Sequence, residues 1–338
     1  MARISQQSIA KQLGIAQITV SKALRGDKDI SLETKEKVRK LADSLGYMPN
    51  LLARSLVEGR SRIIGIYIPT VKGRFGSLLV EAVEQEIRNS GYLPLFSTGT
   101  ATDAGDNESL QILLQYRVAG IIICLGHACW RPSIIDQIIK QKIPLVFIGK
   151  SMIPETQCVY SKDYEWVKRS VAYLISKGHK NLLLISHFRK HNPISDLKEK
   201  GFIDALKENK IPYNPAMIIR PPEGQEYEYV RDSLKAMANT TAILCFEDQK
   251  ALITIKVIED SGLKVPDDIS VMGYGDNVDF EEYMRIPITS VSHDPETIGK
   301  KSVELLFAQI RGENISKEIK IELENRIIER RSVKDISK

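Results

Sequence analysis

Hydrophobic positions in the first fifty residues recur at helical spacing. Ile9 and Leu13 stand one turn apart behind Ser5, a residue type that caps helices, so the spacing predicts a helix over 6–13 that Gly14 ends. A short Gly14-Ile15-Ala16 turn leads to a second helix over 17–24, in which Val20 and Leu24 must face the first. Gln17, Ile18, Ser21, Lys22 and Arg25 are then left on its outer face. Ser31 caps a third helix with Val38, Leu41 and Leu45 inward, and Gly46 stops it. Three short helices with a glycine turn between the first two make a helix-turn-helix, whose second helix enters the major groove of DNA. After the break at Tyr47-Met48-Pro49-Asn50 the pattern is helical again from Leu51 to Glu58, with Asn50 as cap and Gly59 as stop. Leu51, Leu52 and Leu56 have no core within that segment, and isolated helices below ~12–15 residues rarely persist in water. The segment reads either as a linker that docks on the body or as one that folds on binding, with Leu56 wedged into a base step.

From Arg62 onward the pattern changes to near-continuous apolar runs separated by helical ones. The runs predict strands at 63–69, 93–97, 120–125, 144–148, 181–186, 241–246 and 269–274, with helices between them, among them 77–89, 164–176 and 249–261. Unbroken apolar strands between helices mean parallel sheets covered on both faces. The units are too many for one sheet, so the body divides into two doubly wound lobes with a break near Asp163. In such sheets ligands sit beyond the carboxyl ends of the strands, and a cleft between two lobes collects those ends.

Charge sharpens this division. The chain has 338 residues and a formal net charge of +5, and the first sixty residues hold 11 Lys and Arg against 6 Asp and Glu, while the rest holds 37 of each. The whole excess lies in those first sixty residues, which points to a small basic module fused to a neutral body. Its outer face suits DNA: Lys22 donates to guanine acceptors, Gln17 reads adenine or bonds a phosphate, and Ile18 packs on a thymine methyl. Thr19, Ser21 and Thr34 hold phosphates, which sets register without reading sequence. Apolar runs such as 119–125 are too short to span a bilayer, and 1–14 is too polar for a secretory signal. The four cysteines include no Cys-x-x-Cys pair, as expected of a reduced cytoplasmic protein.

Catalytic and metal chemistry find little support. Cys124, His127 and Cys129 lack a fourth ligand at the spacing of a structural zinc site. His179 begins a strand and reads as structural. Gly273-Tyr274-Gly275-Asp276 lacks the third glycine of a dinucleotide fingerprint. No nucleophile–base pair, phosphate-binding loop or His-Glu-x-x-His is present, so no enzyme, metal or cofactor is expected.

The stretches Ile15 to Leu24, Ser31 to Thr34 and Gly46 to Leu56 together resemble the headpiece and hinge of the LacI/GalR family of bacterial transcription regulators. The body resembles that family's effector domain, which is like the type I periplasmic binding proteins. The matching stretches are Val118-Ala119-Gly120-Ile121-Ile122, Gly178-His179-Lys180-Asn181, Gly201-Phe202, Phe246 to Ala251, Val265 to Tyr274, and Ile288-Thr289-Ser290-Val291. The resemblance implies a headpiece over 1–48, a hinge helix or linker over 49–60 and a two-lobed effector-binding and dimerisation body over 61–338. It implies crossovers near 160, 290 and 320, joining 61–160 with 292–320 in one lobe and 161–291 with 321–338 in the other. Gln17, Ile18 and Lys22 then read the major groove, and Leu56 is the minor-groove lever of a hinge helix paired with its dimer mate, in one DNA-binding segment with Asn50 and Ala53. Ala16 departs from the family's usual Ser, which removes a phosphate contact or a cap.

Pocket positions transfer less regularly. Asp248 matches the acidic residue that usually binds effector hydroxyls. Lys198 stands where Arg is usual, exchanging a planar fork for a point donor. Gly149 replaces an Asp, and Glu247 an Asn, found in many members. Phe75 roughly matches a ring at the cleft mouth, and Asp163 and Asp276 match acidic positions at strand ends. Each also has a purely structural reading, as a cap or as a contact where the chain crosses between lobes. The function implied is a sequence-specific DNA-binding repressor that grips a near-palindromic double-stranded operator as a homodimer. A sugar-like effector in the cleft would alter lobe closure and so the pairing of the hinge helices. No long heptad segment follows the strand-like stretch 319–328, which points to a dimer rather than a tethered tetramer. The other reading is a transporter's solute-binding protein, which needs an export signal where this chain has a basic helix-turn-helix.

Overall fold

The amino-terminal segment forms three helices, α1 (Gln6–Leu13) and α3 (Leu32–Ser44) begun by the serine caps Ser5 and Ser31, and α2 (Gln17–Arg25) between them. The structure, a computed structural model, describes residues 4–48, 61–71, 73–99, 103–125, 133–151, 153–188, 193–222, 224–277, 284–314, 316 and 318–337. Met1–Ser61 and Arg62–Lys338 are two units, each with its own packing. At the start of α1, Ser5 Oγ accepts from the Ser8 N–H at 3.2 Å while the Ser5 N–H donates to Ser8 Oγ at 3.1 Å, a reciprocal cap. Gly14 and Gly26 end α1 and α2 in the left-handed region, with φ of 65° and 84°. Ile9, Val20 and Val38 are fully buried at the centre together with Ala10, Ala23 and Ala42, while Leu13, Leu24, Leu41 and Leu45 pack around them half-buried. The alanines carry little weight in a pattern of bulky apolar positions, yet their small side chains let three short helices approach closely.

In the second unit, strands and helices alternate: β1 (Ile63–Ile68), α4 (Gly73–Asn89), β2 (Leu93–Thr98), α5 (Asp103–Gln115), β3 (Gly120–Cys124), α6 (Ser133–Lys140), β4 (Leu145–Ile148) and β5 (Gln157–Ser161). The chain then crosses to α7 (Asp163–Ser176), β6 (Leu182–Ile185), α8 (Pro193–Glu208), β7 (Ile218–Ile219), α9 (Glu226–Ala236), β8 (Ala242–Cys245), α10 (Asp248–Asp260), β9 (Ser270–Gly275) and β10 (Thr289–Ser292). It returns for α11 (Pro295–Ile310) and β11 (Lys320–Leu323), and crosses once more to β12 (Arg326–Ile328). One sheet has the order β11-β5-β4-β3-β1-β2, parallel throughout. The other has the order β12-β10-β9-β8-β6-β7, parallel except that β12 runs against β10. Along β6 successive residues enter opposite cores, Leu182 and Leu184 packing with Val167, Val171 and Phe202, and Leu183 and Ile185 with Ala251, Ile255 and Ile258. Both faces are covered, which is why these strands read as unbroken apolar runs.

The seven strands expected from those runs form β1, β2, β3, β4, β6, β8 and β9. Three features differ from expectation. The polar-flanked β5 (Gln-Cys-Val-Tyr-Ser) is an inner strand between β4 and β11, made possible because the buried Gln157 amide donates to the Ser316 carbonyl at 2.8 Å. The helix expected from 77 starts at Gly73. The stretch 319–328 is two strands in different sheets, so the last crossing follows Leu323 rather than falling near 320, because β11 is hydrogen-bonded to β5.

Candidate functional site

On α2, packing of Val20 and Ala23 leaves the other face in solvent. Gln17 is exposed, Ile18 is 62% exposed, and Thr19, Ser21 and Lys22 are half-buried. A β-branched apolar side chain this open on a helix whose other face is packed has no intramolecular use. Ala16, at the cap position, makes no side-chain bond, so the first N–H groups of α2 are left without a capping oxygen and suit an anion. Thr34 lies at the entrance of α3, where its hydroxyl is 2.8 Å from Ser31 Oγ and its N–H donates to the same oxygen at 3.2 Å. Asn50, Ala53 and Leu56 lie outside the described residues.

In the body, a cleft of about 1170 Å³ opens between the lobes. Ile68, Cys124 and Ile148 bring the carboxyl ends of β1, β3 and β4 to one wall, and Phe246 and Tyr274 bring those of β8 and β9 to the other. Asp248, the first residue of α10, lines it and is 2% exposed. Its Oδ1 accepts from Ser290 Oγ at 2.6 Å and its Oδ2 from the Asn277 N–H at 2.5 Å. Burial pushes the carboxyl pKa up, and those two bonds pull it back. A Cβ on Gly273 would stand 2.0 Å from Asp248 Oδ1, so only glycine lets the carboxylate lie against β9.

Lys198 is 3% exposed, with Nζ 4.0 Å from the centroid of the Tyr274 ring and 5.6 Å from that of Phe246. Its nearest carboxylate oxygen is Asp163 Oδ1 at 3.9 Å, and among the described residues it donates no hydrogen bond. Asp163 opens α7 at the first crossing, where Oδ1 accepts from Tyr274 Oη at 2.8 Å. Burial and this carboxylate hold the phenol well above its usual pKa. Phe75 lines the same cleft from α4, and its N–H donates across the lobes to Asn277 Oδ1 at 2.6 Å.

A helix-turn-helix followed by a two-lobed body around a cleft is the arrangement that the comparisons share. Residues 7–50 match the bacterial regulatory proteins of the lacI family, and residues 171–333 match the periplasmic binding protein-like domain. The HTH-type transcriptional repressor PurR of Vibrio parahaemolyticus serotype O3:K6 is 30% identical over 339 residues, 98% of this chain and 99% of that one. That of Histophilus somni is 28% identical over 98% of this chain and 99% of its own. The chain belongs to the LacI family. Among solved structures, the lac repressor dimer bound to operator and the anti-inducer ONPF aligns over 98% of this chain and 100% of that one, with a TM-score of 0.86 at 22% identity. The transcriptional regulator CelR–cellobiose complex aligns over 98% and 100%, with a TM-score of 0.72 at 22% identity. At such identities the likeness is one of fold.

LacI-family membership makes this chain a DNA-binding transcriptional regulator with a small-molecule-binding body, and sets aside the transporter reading. Against the family pattern, the cleft brings together Phe75, Asp163, Lys198 and Asp248 but not Asp276. Asp276 accepts from Arg330 Nη2 of its own lobe at 2.8 Å and lies 3.6 Å from Arg74 Nη1 of the other, a contact between the lobes. Gly149 and Glu247 do line the cleft, Glu247 with Lys250 Nζ at 3.1 Å. Of the supposed metal cluster only Cys124 lies among the described residues, buried at the end of β3. Among the described residues no helix is long and apolar enough to cross a membrane.

Sequence reasoning missed His293. Its ring lines the cleft and packs edge-on against Phe75 and Tyr274, with centroids 5.7 and 5.4 Å away. Its Nδ1 lies 3.0 Å from Ser161 Oγ and 3.3 Å from Asn325 Oδ1, so one imidazole joins all three crossings. Burial lowers its pKa, which keeps the ring neutral at pH 7. The residue follows β10, a strand with too little apolar character to stand out, and that strand end was the only signal that could have found it.

Proposed function

We propose that this LacI-family chain represses transcription by gripping a near-palindromic operator as a homodimer, and that a polyhydroxylated effector in the cleft controls the grip. In this reading residues 1–48 are the headpiece, 49–60 the hinge and 61–338 the sensing body. Gln17, Ile18 and Lys22 read base edges, and Thr19, Ser21 and Thr34 hold phosphates. Asn50, Ala53 and Leu56 belong to the hinge, with Leu56 as the wedge. The observation that carries the reading is the 62% exposure of Ile18 on the polar outer face of a helix otherwise locked into the headpiece core. Similarity to PurR repressors over nearly the whole chain supports the sign of the effect.

For the effector, the supporting feature is the pair Lys198 and Asp163. A hydroxyl placed between them accepts from the ammonium and donates to the carboxylate, and the rings of Phe75, Phe246 and Tyr274 supply apolar walls. Solved neighbours of this fold carry cellobiose and ribose. The test is a selection of binding sites from a randomised duplex pool by the full chain, followed by a thermal-shift screen against sugars, sugar phosphates and nucleosides. The selected sites should form an inverted repeat, and the Lys22→Ala variant should lose base preference at one position in each half-site. Enrichment of no sequence, or an unchanged preference in that variant, would overturn the DNA-reading roles.

A further inference from the structure

Both cations on the outer face of α2 are held by the loop that follows it. Lys22 Nζ is hydrogen-bonded to the Asp29 carboxylate, and Arg25 Nη2 lies 3.0 Å from Asp27 Oδ2. The loop is folded back by the left-handed Gly26 and by the Asp27 N–H, which donates to the Lys22 carbonyl at 3.1 Å. Ile30 packs against the headpiece core and anchors its neighbour Asp29. Lys28, between the two aspartates, is exposed and makes no ion pair among the described residues, so it remains the loop's own free cation.

These pairs stand in solvent, 37% and 54% exposed for Lys22 and Asp29, and exposed pairs add little to folding stability. Their effect lies at the surface that meets DNA. Phosphate contacts supply the affinity for any duplex, whereas base edges supply discrimination. A lysine already satisfied by a carboxylate gains little by moving to a phosphate, which is another exposed anion. It gains more at guanine, whose O6 and N7 offer two adjacent acceptors on one base edge. We propose that Asp27 and Asp29 are specificity-determining residues: they withhold Arg25 and Lys22 from indiscriminate phosphate contact and aim Lys22 at the groove floor. The inference rests on the DNA-binding reading of α2 and names how that face rejects wrong sequences.

The test compares the full-length protein with its Asp29→Asn and Asp27→Asn variants on two probes, a random-sequence duplex and the duplex the unaltered protein selects from a randomised pool. Glu33→Gln serves as a charge-matched control, since Glu33 pairs with Lys37 at 2.7 Å on α3. Each aspartate variant should bind the random duplex about fivefold more tightly at low salt. Its logarithmic salt dependence should steepen by about one per freed cation. Affinity for the selected duplex should change less than about twofold, so discrimination falls, and Asp29→Glu should restore it. Equal gains on both probes, gains of the same size for Glu33→Gln, or no change on the random duplex would each overturn the proposal. Failure of the unaltered protein to select any sequence would instead remove the DNA-binding reading and the inference with it. Circular-dichroism melts establish that all variants are folded.

Discussion

Lys198 and Asp248 are buried charges beside one cleft, and their surroundings treat them differently. Asp248 has a donor on each carboxylate oxygen, so it organises the wall formed by Ser290 and Asn277 before any ligand arrives. Among the described residues Lys198 has two ring faces and a carboxylate at 3.9 Å but donates no hydrogen bond, which leaves its hydrogens for a guest. Removing one partner of a close buried ion pair strands the other, but here the ammonium is beyond hydrogen-bond reach of Asp163, and Tyr274 Oη still donates to that carboxylate at 2.8 Å, so an apolar chain of similar length leaves no unpaired charge behind. Lys198→Met should therefore keep or raise the melting temperature of the free protein while abolishing the shift given by the effector. A large fall in the free protein's melting temperature would instead mark Lys198 as structural. A second residue carries a pH dependence. Buried His179 has its pKa lowered by desolvation, and its Nε2 lies 3.0 Å from the Lys334 carbonyl oxygen. The unfolded chain takes up a proton near pH 6.5 while the folded chain resists, so this stability is present above that pH and is lost as pH falls through it. The stability gap between the unaltered protein and His179→Gln should narrow from pH 7.5 to 5.5, as read from denaturant midpoints. A gap independent of pH would count against a neutral imidazole.

At the scale of elements, helices were legible from spacing and caps, and fully buried strands from their apolar runs. Elements defined by partnership were not. β5 and β10 carry Gln, Ser and Thr in buried positions because side-chain bonds from neighbouring segments satisfy them, and no periodicity announces such bonds. Strand β9 shows the converse, a glycine whose necessity appears only once α10 is placed beside it. Gly273→Ala would push Asp248 off β9, and overpacking of this kind costs about 1–3 kcal/mol. A urea midpoint lowered by that amount, together with weakened effector binding, is the expected result. A variant as stable as the original would mean that the carboxylate has room to move.

Across the whole molecule, the sensing body is one unit in which contacts tie the lobes at the cleft rim. Phe75 and Arg74 of α4 meet Asn277 and Asp276 of the other lobe, and Asp248 holds the Asn277 N–H. A guest that disturbed Asp248 would therefore act on the same residue that latches the lobes. If effector occupancy changes operator affinity by some factor, thermodynamic reciprocity requires operator to change effector affinity by that factor. Titrating effector into the free protein and into its operator complex should give dissociation constants in the ratio found from DNA binding with and without effector. Equal constants alongside altered DNA affinity would place the regulatory site elsewhere.

Spacing and charge in the sequence determined the basic three-helix reader, the open face of α2 and the alternation that builds two parallel sheets, because helix periodicity, capping and burial on both faces are local properties of the chain. Tertiary structure decided what the charged residues do. Asp276 reads as one more acid at a strand end until Arg330 and Arg74 arrive from 54 residues downstream and from the other lobe. His293 gains its place in the cleft only when three crossings meet. A side chain's chemistry depends on which groups lie within a few ångströms, and for residues far apart along the chain only the fold sets that distance.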